Sequence, residues 1–252
     1  MQHHLKEIEQ KLNPYAAKVD KPYADFRKLC TNYDVSGIRL PQLREVFQEG
    51  FSFSDLPHDE QVPIWDYVWK HSNNHEVMQM PLFYFEARAK KNLNTLKDWK
   101  ALKTWIDQID GWEHGDRLAA IYAVLYEYNR DALYPVWQKW NKNKNPWKRR
   151  NGLLALIYYA SPKRTYPPLT KVLPLVKPLI TDPDPYIQKA VGWTLRECYK
   201  LYPQKTYQFL TKEILNLSAT AFSYSTEKLT GEEKQILKQR RKSKKRSATV
   251  IQ

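Results

Sequence analysis

Three short segments of this chain hold side chains whose types and spacing could do chemistry on a polyanion. In the stretch Asp184 to Lys200, Lys189, Trp193, Arg196 and Lys200 recur at helical intervals. They lie away from an apolar stripe of Ile187, Ala190, Val191, Leu195 and Cys198. An indole among three cations on a non-core helix face suits a partner that carries both phosphates and flat rings. In Asp98 to Asp110, Lys103, Asp107 and Asp110 share a face at i, i+4 and i+7, beside a stripe of Trp99, Leu102, Ile106 and Ile109. A carboxylate in basic surroundings could stabilise developing positive charge; the same spacing also fits a solvated helix end or a cap. In Asn145-Pro146-Trp147-Lys148-Arg149-Arg150, three cations open a helix. There they oppose the macrodipole at a cost of a few tenths of a kcal/mol each. A bound phosphate would offset that cost, and a basic surface turn is the equally open reading.

Other chemistries find no support in the sequence. There is no Walker A loop, no GxGxxG after a strand, no HExxH and no CxxC. His71 and His75 are four apart, but no Cys or acid completes a metal site, so neither a metal nor another cofactor is expected. No Ser or Cys carries the local signature of an activated nucleophile.

The elements that must position these residues read as helices. Seven glycines and no alternating Val/Ile/Thr runs leave strands without support. Helix starts are expected at Leu40-Pro41, Val62-Pro63, Met80-Pro81, Lys97-Asp98, Gly115-Asp116, Asn145-Pro146, Asp184-Pro185 and Tyr202-Pro203. Many starts lie roughly 17 to 22 residues apart, so a helix pair would repeat every ~35 to 45, as in HEAT-like arrays. An ordinary helical bundle would give proline-led helices too. In a solenoid of pairs one helix layer lines a concave surface, along which basic and aromatic faces could align. Residues 1–231 are expected to form one repeat domain. Residues 232–252 lose apolar periodicity and are expected to be a frayed helix followed by disorder.

At 252 residues with a formal net charge of +14, the chain calls for an anionic partner. Lys238 to Gln252 holds seven of those positive charges and no acid, leaving +7 on residues 1–237. Nine Trp, 17 Tyr and eight Phe supply both core and stacking surface. Cys30 and Cys198 are far apart and are expected as free thiols of a reducing compartment. No apolar stretch reaches the roughly 18 residues of a membrane span, so no membrane partner and a cytoplasmic location are expected.

Together the three segments resemble the DNA alkylation repair glycosylase family with HEAT-like repeats, the AlkD-like proteins. Trp105-Ile-Asp-Gln-Ile-Asp110 is similar to the family's Trp-Trp-Asp-x-Val-Asp, and Asn145-Pro-Trp-Lys-Arg-Arg150 to Asn-x-Trp-x-x-Arg. Ile187-Gln-Lys-Ala-Val-Gly-Trp-Thr-Leu-Arg-Glu197 is similar to Ile-Gln-Lys-Ala-Ile-Gly-Trp-x-Leu-Arg-Glu, the most specific of the three. Gly37-Ile-Arg-Leu-Pro-Gln-Leu-Arg44 is a weaker match to Gly-Ile-x-x-Pro-x-x-Arg. The resemblance spans residues ~25 to 225. It implies an all-α, right-handed solenoid of HEAT-like antiparallel helix pairs with a concave DNA-binding groove. It further implies hydrolysis of the N-glycosidic bond of purines alkylated at N3 or N7, in duplex DNA, by a nucleoid-associated monomer. By motif position Asp110 is the catalytic carboxylate, Trp193 the wall against the lesion nucleotide and Arg150 a DNA-backbone contact. Trp147, Arg149, Lys189, Arg196 and Lys200 are further expected DNA contacts. One departure stands out: Ile106 replaces the motif's second tryptophan. Trp105, Trp112 and Asp107 are the neighbours expected to contact the lesion in its stead. Two other readings remain: a non-catalytic DNA-binding member of the family, and a helical-repeat scaffold for a protein or RNA.

Overall fold

The computed structural model describes residues 1–16, 20–157 and 165–249, with side chains described to residue 243. The fold is all-α. The helices are α1 (Gln2–Ala16), α2 (Lys21–Lys28), α3 (Leu40–Glu49), α4 (His58–His71), α5 (Gln79–Lys90), α6 (Trp99–Trp105) and α7 (Trp112–Tyr128). After these come α8 (Arg130–Trp140), α9 (Pro146–Ile157), α10 (Leu169–Val176), α11 (Pro185–Leu201), α12 (Pro203–Lys212), α13 (Ala219–Ser225) and α14 (Gly231–Thr249). Among the described residues the nearest thing to a strand is a single parallel bridge between Asp34 and Asn74. No described helix is long and apolar enough to cross a membrane.

The expected rhythm is present: α1 to α6 begin at residues 2, 21, 40, 58, 79 and 99. Side-chain caps and first-turn prolines mark some of the boundaries. Asp20 and Asp184 each accept from N–H groups in the first turn of the following helix, and Pro41, Pro146, Pro185 and Pro203 sit in first turns. Two expected starts move. Helix α4 begins at His58, so Pro63 lies inside it; the acids Asp59 and Glu60 mark the true first turn. Helix α7 begins at Trp112 rather than near Asp116.

The chain divides into two compact units, Met1–Leu125 and Tyr126–Gln252. In the first, α1 packs on α3 and α4, α3 on α5, and α4 on α5 and α6. In the second, α9 packs on α8, α10 and α11, and α11 on α12 and α13. Helices two apart in sequence meet repeatedly (α3 with α5, α4 with α6, α9 with α11, α11 with α13). This is the contact pattern of stacked helix pairs.

Tryptophan mostly serves these cores. Trp65, Trp69, Trp105, Trp137, Trp140 and Trp147 are buried, leaving Trp99, Trp112 and Trp193 partly exposed. Cys30 and Cys198 are free, and burial pushes the Cys198 thiol up to about 12. The basic C-terminal segment is helical over Gly231–Thr249, and Leu237 is buried and anchors it. Residues 250–252 of the expected tail lie outside the described residues.

Candidate functional site

In the first unit the carboxylate cluster is rearranged relative to its expected helical face. Helix α6 stops at Trp105, a 3-10 turn follows over Ile106–Gln108, and Ile109 is extended at φ −74° and ψ 125°. Asp110 therefore leaves the helix and does not share a face with Lys103 and Asp107, which are both exposed. It stands in the three-residue link 109–111 to α7, half-buried, facing the loop after α2. The Thr31 hydroxyl lies 2.9 Å from Oδ1 and 2.8 Å from Oδ2, and the Asn32 N–H donates to Oδ2. The two loops are tied further by the Tyr33 hydroxyl, which donates to the Gln108 carbonyl (2.6 Å). Burial and the Asp110 charge raise the Tyr33 phenol, so it stays a neutral donor. Gly111 is required here: a Cβ would stand 2.8 Å from the Cys30 carbonyl oxygen.

A second tie stands just beyond. Arg27 pairs with Glu113, which also accepts from His75 Nε2 at 3.1 Å. Burial pushes Glu113 up, but the His75 hydrogen bond and the charges of His75, Arg27 and Arg117 overcome it and leave the carboxyl below its ordinary value. His114, fully buried and stacked on His75 at 4.1 Å, is held well below the usual imidazole value by burial first and by the neighbouring His75 second. The Arg27 guanidinium lies 5.3 Å from the Trp112 ring centre. Trp112 thus offers a half-buried ring with a cation on it.

Trp105 is not available to a ligand. It is fully buried, stacks on Trp69 at 4.9 Å, and donates through Nε1 to Asp66 (2.8 Å). The indole, expected as a lesion contact, fills the α4–α6 core. Ile106, at the motif's missing tryptophan, is likewise buried. His71 and His75 do not share a helix face, because α4 ends at His71. Among the described residues no group of three or more His, Cys, Asp or Glu could hold a metal.

In the second unit, Asn145 caps α9 by accepting from the Trp147 N–H (2.8 Å). The three cations after it are used differently from one another. Arg149 forms a two-point pair with Asp182 (2.8 and 3.3 Å) and donates to the Asn143 and Lys144 carbonyls. Arg150 is only 3% exposed and donates to the Tyr186 carbonyl, and the buried Trp147 ring lies 5.2 Å from Tyr186. Arg149, Arg150 and Trp147, the DNA contacts expected here, all tie α9 to the segment opening α11. The reason is local: the Asp182 carboxylate and the Tyr186 carbonyl are acceptors within reach of the first turn of α9, which carries the two guanidiniums.

Helix α11 keeps the two faces expected of it. Its apolar stripe is buried, and Gln188 donates to the Leu179, Ile180 and Asp182 carbonyls, closing the turn before the helix. Gly192 allows α13 to approach closely, since a Cβ there would meet Tyr224 Cβ at 2.6 Å and the Ala221 carbonyl at 2.8 Å. On the other face Trp193 is half-buried, with the Arg196 guanidinium 5.8 Å from its ring. Lys189 is exposed and lies 5.6 Å from the Tyr186 ring. Arg196 and Lys200 are not idle cations. Arg196 pairs with Glu197 (2.8 Å) and Glu227 (2.7 Å), which raise its already high value against burial, and Lys200 pairs with Glu197 (2.5 Å). A phosphate would have to compete with two carboxylates for Arg196.

Thr31, Asn32, Tyr33 and Arg27 escaped sequence reasoning. They lie about 80 residues from Asp110 and carry no periodic signal linking them to it.

The model of the family described as DNA alkylation repair enzyme matches residues 5–229. No curated protein matches the chain. Among solved structures, one described as a predicted DNA alkylation repair enzyme from Enterococcus faecalis is similar, with a TM-score of 0.66 and 20% identity. The match covers 79% of this chain and 90% of that one. AlkD2 from Streptococcus mutans is similar with a TM-score of 0.56 and 15% identity, over 87% of this chain and 100% of that one.

Proposed function

The chain belongs to the DNA alkylation repair enzyme family, with DNA as its partner and alkylation repair as its role, and on that premise we propose that it is a monomeric, monofunctional glycosylase for purines alkylated at N3 or N7. The observation that carries this reading is the Asp110 carboxylate. It is half-buried on a link between helices and held in place by the Thr31 hydroxyl and the Asn32 N–H. An alkylated purine is already cationic and needs little acid assistance to leave. As its N-glycosidic bond breaks, the bonding electron pair goes to the base and the sugar gains oxocarbenium character. A carboxylate fixed beforehand stabilises that charge without reorganising, and can orient the water that adds to the sugar.

Trp193 supplies an electron-rich face for the cationic base. That face already attracts a cation, the Arg196 guanidinium, which Glu197 and Glu227 hold and neutralise. Lys189, exposed on the same helix, is the residue on which this reading places a phosphate contact. Trp112, half-buried two residues after Asp110, takes the part of a lesion contact in preference to the buried Trp105.

The test is product analysis. Duplex carrying 7-methylguanine or 3-methyladenine, incubated with the full chain, should yield free methylated base and an abasic site. Spontaneous depurination alone would sink the glycosylase reading. A second reading, binding without excision, is favoured by one observation: Ile106 is buried where the family motif carries its second tryptophan, so this position offers no aromatic wall. Tight binding to alkylated duplex with no base release is its signature.

A further inference from the structure

Helix α14 lies outside the residues that match the family, 5–229, and the reading above makes no use of it. It is nevertheless a built element. Thr230 and Glu233 form a capping box: the Glu233 N–H donates to Thr230 Oγ1 (3.2 Å) and the Thr230 N–H to Glu233 Oε2 (3.0 Å). The Tyr199 hydroxyl donates to the same carboxylate at 2.6 Å, pinning the first turn to α11. One turn on, Leu237 is fully buried. Arg241, another turn along the same face, donates to the Ile214 carbonyl (3.2 Å) and lies 5.0 Å from the Phe222 ring. Glu233, Leu237 and Arg241 thus form the docked face at four-residue spacing, which fixes what the opposite face presents.

That outer face is cationic. Gln235, Lys238, Gln239 and Lys242 fall along it at helical spacing, while Arg240 projects from the opposite flank of the helix, and all are exposed. The acids of α14 are confined to Glu232 and Glu233 in its first turn. Lys238, Arg240 and Lys242 form no ion pair among the described residues, unlike Arg149, Arg196 and Lys200. A row of exposed like charges is unfavourable until an anion neutralises it. Lys238 and Lys242, one turn apart, are separated by about 6 Å along the axis. Their ammonium groups can therefore reach different phosphates of one strand, which succeed each other every ~3.4 Å along the DNA axis.

We propose that α14, beyond the residues that match the family, is a duplex-phosphate-binding helix that contacts undamaged backbone through Lys238, Arg240 and Lys242. This rests on DNA being the partner, and it does not depend on base excision. The helix supplies sequence-independent affinity; its geometry carries no base readout.

The experiment uses the full chain and an undamaged duplex of about 20 base pairs, with binding followed by fluorescence anisotropy over a salt series. Each phosphate neutralised contributes about 0.9 to the slope of log K against log salt. The K238Q/R240Q/K242Q variant is expected to lose about 2 to 3 from that slope and to bind at least tenfold more weakly at low salt. Glutamine keeps the helix propensity of the cations it replaces, and the charge-keeping K238R/R240K/K242R variant should restore the slope. A slope that changes by less than about 0.5 overturns the proposal. So does a loss confined to binding of phosphatidylserine vesicles or of an RNA hairpin, with duplex binding intact.

Discussion

Gly192→Ala sets two effects of known sign against each other. Gly192 sits mid-helix in α11, where exchanging Gly for Ala would by itself favour the folded state by about 1 kcal/mol. The added methyl, however, would stand 2.6 Å from Tyr224 Cβ, 2.8 Å from the Ala221 carbonyl oxygen and 3.1 Å from Ala221 Cα. Two of these partners are backbone atoms and the third is a Cβ, so no side-chain tip can swing away. Ordinary carbon contacts lie at about 3.5–4.0 Å, so α13 must retreat by roughly 1 Å. Overpacking of this kind costs about 3 kcal/mol, at the upper end of its usual range. The net expectation is a destabilisation of about 2 kcal/mol. For a chain of this size that lowers Tm by about 4 to 8 °C. Thermal and urea unfolding of wild type and variant measure it. An unchanged or raised Tm would show that close approach does not govern this position, and that the account of why Gly precedes Trp193 is wrong.

Thr31→Val removes a hydroxyl that reaches both Asp110 oxygens at 2.8–2.9 Å. A hydrogen bond to a charged group contributes about 1.5–3 kcal/mol when buried, so a loss of roughly 1–2 kcal/mol is expected at this half-exposed site, with Thr31→Ser retaining most of it; equal urea midpoints for the two variants would exclude the tie. His114, buried and neutral with its value depressed, ties stability to pH. Its unfolded form takes up a proton below pH ~6.5 while the folded form does not, so stability should fall by about 1.4 kcal/mol per pH unit below that point. NMR titration should show no protonation of His114 while the pH falls from 8 through 6.5, and a midpoint near 6.5 in the folded state would refute its burial as described. Trp193→Ala should weaken binding to methylated duplex more than to undamaged duplex; equal losses would assign the indole to packing against Arg196 instead.

The fold was readable because helix capping is local chemistry. Asp184-Pro185 and Asn145-Pro146 place side-chain acceptors and prolines where first turns need them, and the structure uses them so. Pro63 misled because proline also fits inside α4, and only Asp59-Glu60 marked the real start. The site was readable in part. Trp193 kept its half-exposed face because the periodicity of one long helix fixes it. Asp110 lost the expected partners Lys103 and Asp107 because α6 tightens into a 3-10 turn at Ile106, a change that no stripe of apolar residues encodes. Arg149, Arg150, Arg196 and Lys200 look alike in sequence as cations awaiting phosphate. Their true partners, Asp182, the Tyr186 carbonyl, Glu197 and Glu227, come mostly from elements some 30 residues distant. Lysine and arginine content announces an anionic partner without saying which cations the protein keeps for itself.

The central claim, that Asp110 stabilises charge on the reacting sugar, is tested most directly by single-turnover release of 7-methylguanine from duplex by wild type and Asp110→Asn. Asparagine can still accept from Thr31 and Asn32 but carries no charge, and circular dichroism together with Tm confirms that the variant is folded. Loss of a preorganised electrostatic contact predicts a rate at least ~10²-fold lower, with duplex affinity unchanged. Release at the wild-type rate by the variant, or at the spontaneous depurination rate by both proteins, contradicts the account.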